Sequence, residues 1–179
     1  MDRFAKIATW VADAGITPVV IGTKAEGDIG AQILKLEPRA KNIVGRTDLF
    51  QLATLAERAV FALGGDTGPM HLAAAARTPG VCLFAQEWNE DMARDLQSVW
   101  SPKTRLGRAA PRGGPMMILH AAALESLSVD DVKRAAIGLG VLPPNIARPA
   151  PVQPPVAEAP SEPEQPAESS PEVTEGSNS

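Results

Sequence analysis

The residues best suited to chemistry in this chain lie in the segment 64–76, which reads GGDTGPMHLAAAA and contains the DTGPMH motif, residues 66–71. Pro69 suits the first position of a helix, because its φ is already helical and its missing N–H is not needed there. Gly68 leaves no Cβ to block a ligand that approaches the amides at the positive end of the helix dipole. Together these residues predict an anion site, most naturally for phosphate or diphosphate.

Three polar side chains accompany the predicted anion site. Thr67 adds a hydroxyl donor, and His71, one turn into the helix, offers an imidazole N–H to the same anion. Asp66 cannot help to bind phosphate, and its carboxylate is better suited to accepting hydrogen bonds from sugar hydroxyls. These side chains indicate a ligand that carries both phosphate and polyol. The same residue types also fit helix capping, a tight turn and a structural histidine, and the residues alone leave both interpretations open.

The elements around the DTGPMH motif alternate between strand-like and helix-like patterns, with short connections. This alternation predicts an α/β domain in which a Rossmann-like parallel sheet is covered by helices on both faces, giving three layers. Ligands bind beyond the carboxyl ends of the strands in such folds, and the motif is a turn from a strand into a helix at that edge. The predicted strands are 17–22, 42–45, 60–65 and 80–84, and the predicted helices are 4–14, 26–36, 49–59 capped by Asp48, 69–76 and 128–139.

Composition divides the chain into two parts. Residues 143–179 hold ten of the 17 prolines, no aromatic residue and a net charge of −5, whereas residues 1–142 have a net charge of +1. The terminal segment cannot bury enough apolar surface to offset its ordering entropy, so we predict a disordered, acidic tail rich in Pro, Glu and Ser. Residues 1–142 are long enough for one domain with a hydrophobic core.

The bulk properties exclude several classes of protein. A domain of nearly neutral charge presents no cationic field for nucleic acid. Cys82 is the only cysteine, so no internal disulfide can form, and no signal segment opens the chain. No apolar run approaches the ~20 residues that span a bilayer. We expect a soluble protein of a reducing compartment, without a transmembrane segment. No metal is predicted, because one cysteine and two distant histidines give no ligand spacing, and His120 is expected to be buried or to face a helix.

At DTGPMHLAAA the chain resembles glycosyltransferase family 9, the family of the bacterial ADP-heptose:lipopolysaccharide heptosyltransferases. The resemblance extends over roughly residues 1–142. Its other matching segments are IGTKAE at 21–26, NIVGRTDLFQLATLAERA at 42–59, TPGVCLF at 78–84 and SVDDVKRAAIGL at 128–139.

The resemblance implies a fold and a set of ligand contacts. Family members have two facing Rossmann-like halves, the GT-B arrangement, and residues 1–142 would be the C-terminal half, which binds the nucleotide-sugar donor. The backbone around Thr67, Gly68 and Pro69 would then cradle the diphosphate, and Met70 and His71 would continue the site. The two acidic contacts that the resemblance implies are Asp66 to sugar hydroxyls and Glu26 to the nucleotide ribose. A solvated acid in the first turn of a helix is the alternative for Glu26.

The resemblance also implies an activity and partners. It indicates a glycosyltransferase that moves a sugar from ADP-heptose, or a similar donor, to a lipopolysaccharide core or related glycan acceptor. Its location would be the cytoplasm, with peripheral association at the inner face of the inner membrane. The acceptor-binding half and its general base have no counterpart in this sequence, so the catalytic residue is unknown. The missing half would either be a partner, as a separate acceptor-domain polypeptide, or have been lost from the gene model.

Two other functions stay open. The first is a non-catalytic nucleotide-sugar binding module whose tail tethers a partner. The second is a generic Rossmann-like oxidoreductase, against which the lack of G-x-G-x-x-G after the first strand counts.

The chain also departs from the family pattern. Ala85 stands where the family usually has glycine, and residues 86–115 resemble no family segment. We expect this region to be a solvated loop. The alternatives are that its basic residues bind a phosphate and that one of its acids acts as a base. Trp88 and Trp100 are expected to pack this loop, with stacking on a nucleotide base as the alternative. The basic residues are Arg94, Lys103, Arg105, Arg108 and Arg112, and the acids are Glu87, Glu90 and Asp91.

Overall fold

Strands and helices alternate along the chain in the computed structural model, which describes residues 2–96 and 98–141. The strands are β1 Val19–Val20, β2 Lys41–Asn42, β3 Ala62–Gly65, β4 Gly80–Ala85 and β5 Met116–Ala121. The helices are α1 Asp2–Asp13, α2 Gly27–Leu36, α3 Leu49–Arg58, α4 Gly68–Ala75, α5 Glu90–Leu96, α6 Arg105–Ala109 and α7 Val129–Gly138. One-turn 3-10 helices cover Lys24–Glu26 and Leu124–Ser126. The predicted tail, 143–179, lies outside the described residues.

All strand pairs in the described residues are parallel, as the alternation of elements predicted. β1 pairs with β2 in register Val19↔Lys41, and β3, β4 and β5 form a second sheet in that order. The pairing of β1 with β2 continues past the strand ends, because the Gly45 amide donates to the Gly22 carbonyl at 2.8 Å. The α/β fold class is therefore confirmed, with the strands divided between two sheets.

Both faces of β4 are buried, which explains its continuous apolar sequence GVCLFA. On one face Val81 packs with α1 and α7 through Ile7 and Val132. On the other face Phe84 packs with α4 and α6, which contribute Met70 and Leu106. Burying a side chain such as Val or Phe stabilises the fold by about 1.5–3 kcal/mol. The two clusters make the three-layer arrangement that positions the start of α4.

Cys82 lies on the same face of β4 as Phe84 and is fully buried. Burial raises the pKa of its thiol to about 11. The thiol is therefore protonated at neutral pH and serves as a small apolar core residue.

Side-chain caps fix the starts of helices α3 and α7. Asp48 caps α3 as predicted, since its Oδ1 accepts a hydrogen bond from the Gln51 amide at 2.8 Å. In return, the Asp48 amide donates to Oε1 of the Gln51 side chain at 3.0 Å. Ser128 forms the same kind of capping box with Asp131 at the start of α7. Hydrogen bonds from Ser128 hold the pKa of Asp131 below its usual range.

A small ionic cluster links α1 to the turn after α2. Glu37 is 3% exposed and accepts two hydrogen bonds of 2.7 Å from the Arg39 guanidinium. Arg39 also donates to Asp13 at 2.9 Å. The hydrogen bonds from Arg39 lower the pKa of Glu37 to about 2. Glu37 is therefore a charged, nearly buried group whose main partner is Arg39, with a smaller contribution from Thr9.

Two expectations from the sequence are wrong. Residues 86–115, predicted to be a solvated loop, contain helices α5 and α6, and Leu106 of α6 is fully buried. His120, predicted to be buried or to face a helix, is an exposed residue of strand β5. None of the helices within the described residues has both the length and the apolar character needed to span a bilayer.

Candidate functional site

The DTGPMH motif lies in the turn from β3 into α4, at the carboxyl edge of the three-stranded sheet. Gly64 lets the helix approach the strand closely, because a Cβ there would lie 3.0 Å from Cγ of Met70. The Met70 side chain is 3% exposed and packs in the core beneath the turn. Met70 therefore supports the motif from below, and its side chain is not among the exposed atoms of the site.

The start of α4 is open to solvent. Thr67 occupies the N-cap position, but its side chain accepts no hydrogen bond from the helix, unlike the N-cap side chains of α3, α6 and α7. Pro69 has no N–H, and the Thr67 and Gly68 amides donate to no backbone carbonyl within the described residues. A Cβ at Gly68 would meet no heavy atom within 4 Å. Unblocked amides at the positive end of a helix dipole are able to bind an anion.

Asp66, which precedes this helix start, is held between two side chains. Its Oδ2 accepts a hydrogen bond from Nη2 of Arg105 at 2.8 Å, and its Oδ1 lies 3.6 Å from Nε2 of His71. The Asp66 side chain is 15% exposed, compared with 48% for His71 and 62% for Arg105. The structure thus brings the predicted residues Asp66 and His71 together and adds a cation that sequence reasoning had placed in a loop.

Arg105 is positioned by a built scaffold. It opens helix α6, where the hydroxyl of Thr104 accepts from the Gly107 amide at 2.9 Å and donates to the Val99 carbonyl at 2.7 Å. Leu106, the next residue, is fully buried in the core. Gly107 cannot be replaced without moving backbone, because a Cβ there would overlap the Ser101 carbonyl. The first turn of α6 therefore has a fixed position.

Two residues of the β4 end tie α6 to the sheet. Phe84 is fully buried, and the Arg105 guanidinium lies 5.2 Å from the centroid of its ring, within the range of a cation–π contact. Gln86 accepts from the Leu106 amide at 2.6 Å through its side chain and donates to the Ala121 carbonyl at 2.8 Å through its backbone. Arg105 and Asp66 are 39 positions apart in the sequence, and no local pattern of residues around Arg105 predicts their contact.

Glu26 has a local partner in the structure. Its Oε2 accepts from the Thr23 amide at 2.7 Å and from the Thr23 hydroxyl at 3.0 Å, which completes a capping box for the 3-10 turn after β1. The residue is exposed. Within the described residues no hydrogen bond or ion pair joins Glu26 to the DTGPMH motif.

The remaining candidates do not converge on the motif. Glu87 and Glu90 are exposed, and Asp91 forms a 3.6 Å ion pair with Arg94 on the surface of α5. Trp88 is 36% exposed and Trp100 is 49% exposed. Nowhere in the described part of the chain do three or more His, Cys, Asp or Glu side chains form a group that could hold a metal ion.

Two hollows in the described residues lie away from the DTGPMH motif. A hollow of about 620 Å³ lies between β5 and α7, and another of about 440 Å³ lies beside α3. Neither is lined by a residue of the DTGPMH motif.

Comparison with known proteins places this site in a family. The model of glycosyltransferase family 9 (heptosyltransferase) matches residues 1–104, a range that includes Glu26 and the motif and ends just before Arg105. No curated protein sequence matches the chain significantly.

Two solved structures share the fold. A glycosyl transferase family 9 protein from Veillonella parvula DSM 2008 has a TM-score of 0.62 at 19% identity, over 77% of this chain and 40% of that one. The E. coli ADP-heptose lps heptosyltransferase II has a TM-score of 0.60 at 21% identity, over 76% of this chain and 40% of that one. This chain therefore corresponds to less than half the length of either relative. Because the family model matches more than half of its sequence, the chain belongs to glycosyltransferase family 9.

Proposed function

We propose that this chain is the donor-binding half of a glycosyltransferase of the heptosyltransferase type. It binds a nucleotide diphosphate sugar, ADP-heptose or a related donor, whose sugar is transferred to a lipopolysaccharide core or related glycan acceptor. The observation that carries the proposal is the open start of α4, where the Thr67 and Gly68 amides donate to no described residue and lie beside the anchored carboxylate of Asp66. Anion-binding amides next to an acceptor of hydroxyl hydrogen bonds match a ligand with both phosphate and polyol.

The proposal gives each residue of the motif a role. The Thr67 and Gly68 amides and the Thr67 hydroxyl bind the diphosphate, with His71 contributing an imidazole N–H. Pro69 fixes the helix start and Met70 packs beneath it. Asp66 accepts hydrogen bonds from sugar hydroxyls.

Glu26 lies after β1, at the carboxyl edge of its own sheet, and in this proposal it accepts hydrogen bonds from the nucleotide ribose. Its Oε2 is engaged by Thr23, and its Oε1 has no hydrogen bond to any described residue. Oε1 is therefore the atom that we assign to the ribose.

The chemistry assigned to this half is stabilisation of the leaving group. Transfer of a sugar releases a diphosphate, and amides and a helix dipole aimed at that diphosphate lower the barrier by stabilising its developing charge. A base for the acceptor hydroxyl is also needed. We assign this base, together with acceptor binding, to a second domain, and the greater length of the two structural relatives supports the assignment.

Gly68→Val tests the proposal. The new side chain projects into open space, so the fold should tolerate it, whereas a diphosphate could no longer reach the amides. We expect the affinity of the purified chain for ADP, measured by calorimetric titration, to fall roughly tenfold or more, the equivalent of about 1.4 kcal/mol.

Gly138→Val is the matched control, because Gly138 lies in helix α7 and a Cβ there makes only an ordinary 3.6 Å contact with Met117. This variant should bind ADP as the wild type does. Equal ADP affinity for the wild type and Gly68→Val would contradict a diphosphate site at the start of α4.

A further inference from the structure

We propose that Arg105 is a second binding group for the diphosphate of the donor and that it acts together with the amides at the start of α4. This inference rests on the proposed function and adds to it a cation from the chain's own helix α6. Arg105 lies just beyond the residues that match the family model.

The first argument is charge. The carboxylate of Asp66 immediately precedes the helix start, and on its own it would repel a diphosphate bound to the neighbouring amides. The guanidinium of Arg105, 2.8 Å from Asp66 Oδ2, offsets that negative charge. A carboxylate for sugar hydroxyls and an anion site for phosphate can therefore lie side by side, because the carboxylate is paired with a cation.

The second argument is donor capacity. A guanidinium has five N–H groups in a planar fork that suits phosphate oxygens. Only Nη2 of the Arg105 guanidinium donates a hydrogen bond to a described residue, and 62% of the side chain is exposed. The other N–H groups are therefore available to a phosphate placed beside Asp66, and a charge-assisted bond of this kind is among the strongest that a side chain makes.

The third argument is positioning. Thr104 caps the first turn of α6, Leu106 is fully buried, and Gln86 binds the Leu106 amide at 2.6 Å. The Phe84 ring lies beneath the guanidinium at 5.2 Å. A long exposed side chain is usually held at a cost in side-chain entropy, and a scaffold that restricts it beforehand reduces that cost on binding.

The chain supplies a matched control for Arg105. Arg108 is one turn further along α6 and is exposed, and its guanidinium forms no hydrogen bond or ion pair with a described residue. Arg105→Gln and Arg108→Gln remove the same charge from the same helix, and they differ in the contact with Asp66.

The experiment titrates the purified 179-residue chain and these two variants with ADP, inorganic pyrophosphate and adenosine. Arg105→Gln should weaken binding of ADP and pyrophosphate by the same factor, roughly tenfold to hundredfold, and leave adenosine unchanged. Arg105→Lys, which keeps the charge without the planar fork, should fall between Arg105→Gln and the wild type. Arg108→Gln should change every affinity by less than about twofold, as for an exposed charge without a partner.

The outcomes separate this inference from the proposed function. If the wild type binds ADP, and Arg105→Gln and Arg108→Gln weaken that binding equally, the role of Arg105 is overturned and the donor site stands. Equal losses for adenosine and pyrophosphate in Arg105→Gln would make Arg105 a structural residue and would also overturn the inference. No ADP binding by the wild type would overturn both proposals.

Discussion

Asp66 is the acidic residue of the candidate site that lies next to both of its basic side chains, Arg105 and His71. Its two oxygens face Arg105 and His71, and only 15% of the side chain is exposed. It makes no side-chain cap for α4, which was the structural alternative that its sequence position left open. The carboxylate accepts one hydrogen bond, from Arg105, and keeps lone pairs for the hydroxyls of a ligand. Its removal should therefore affect ligands with and without a sugar differently.

Asp66→Ala should separate the donor from its nucleotide. We expect binding of the intact nucleotide sugar to weaken by roughly tenfold, because the sugar hydroxyls lose their acceptor. ADP affinity should stay the same or rise, because ADP has no such sugar and the variant removes a negative charge near the diphosphate. Calorimetric titration with both ligands measures the difference, with Asp130→Ala, an exposed acid at the start of α7, as control. Equal losses for both ligands with the fold intact would place Asp66 in a purely structural role.

At the scale of elements, the fold depends on a few links between helices as well as on the sheet. Glu37 is the clearest case, since a nearly buried carboxylate after α2 receives two hydrogen bonds from Arg39, which also pairs with Asp13 at the end of α1. Protonation of Glu37 removes the acceptor charge from this cluster. The stability of the link between α1 and α2 is therefore sensitive to acid.

Glu37→Gln should destabilise the domain by about 1–3 kcal/mol at pH 7, the range for hydrogen bonds to a charged group. The folded-state pKa of Glu37, about 2, lies below the ordinary value of 4.5, so its contribution is complete above about pH 4.5 and is lost as the pH falls toward 2. Urea unfolding of the wild type and variant between pH 7 and pH 3 should show the difference shrinking with acid. Glu57→Gln, an exposed acid of α3, should show little difference at any pH. A Glu37→Gln difference as large at pH 3 as at pH 7 would contradict the pairing.

For the whole molecule, the main feature is that the candidate site is exposed at the edge of the sheet. Thr67, Gly68 and His71 of the DTGPMH motif are exposed, and the hollows beside β5 and α3 are lined by other residues. Ligand sites usually bury most of a ligand of this size. A donor bound here would thus have one side free for a second domain. This agrees with the proposal that one domain binds the donor and a second domain binds the acceptor.

The purified 179-residue chain should bind the donor without transferring its sugar. Loss of general acid–base assistance alone lowers a rate by ~10²- to 10⁴-fold. Among the acids of the described residues, none outside the motif forms a hydrogen bond or ion pair with a side chain of the motif. A sensitive assay for sugar release or transfer from ADP-heptose should therefore give no signal above the background. Measurable turnover would show that this chain carries a base, and Glu87, Glu90 and Asp91 would be the first residues to replace.

The sequence predicted those parts of the molecule that depend on local chemistry. The turn from β3 into α4 could be recognised from Pro69 and Gly68, and the start of α3 from Asp48, because caps and turns are set by neighbouring residues. Strand β4 could be recognised from its unbroken apolar run. The prediction that residues 143–179 are disordered concerns a segment outside the described residues and stays a prediction.

The features that the sequence did not reveal depend on contacts between distant residues. Arg105 looked like one of several basic residues in a loop, because its partner Asp66 is 39 positions away and α6 is only five residues long. The burial of Leu106 and the Gln86 contact are likewise products of tertiary packing. His120 was misplaced because a short apolar run fits a strand and a buried helix equally well.

The geometry at Gly107 also affects how variation in this chain should be interpreted. A side chain at this position would overlap the Ser101 carbonyl and lie 2.6 Å from the Trp100 carbonyl, so any replacement shifts the turn that carries Arg105. Gly107 has no role in the proposed ligand contacts, yet we expect its replacement to be tolerated as poorly as that of a ligand-binding residue. In homologous sequences, the residues that align with positions 105 and 107 should therefore be considered together. An arginine aligned with Arg105 is no evidence of the same phosphate site unless a glycine aligns with Gly107.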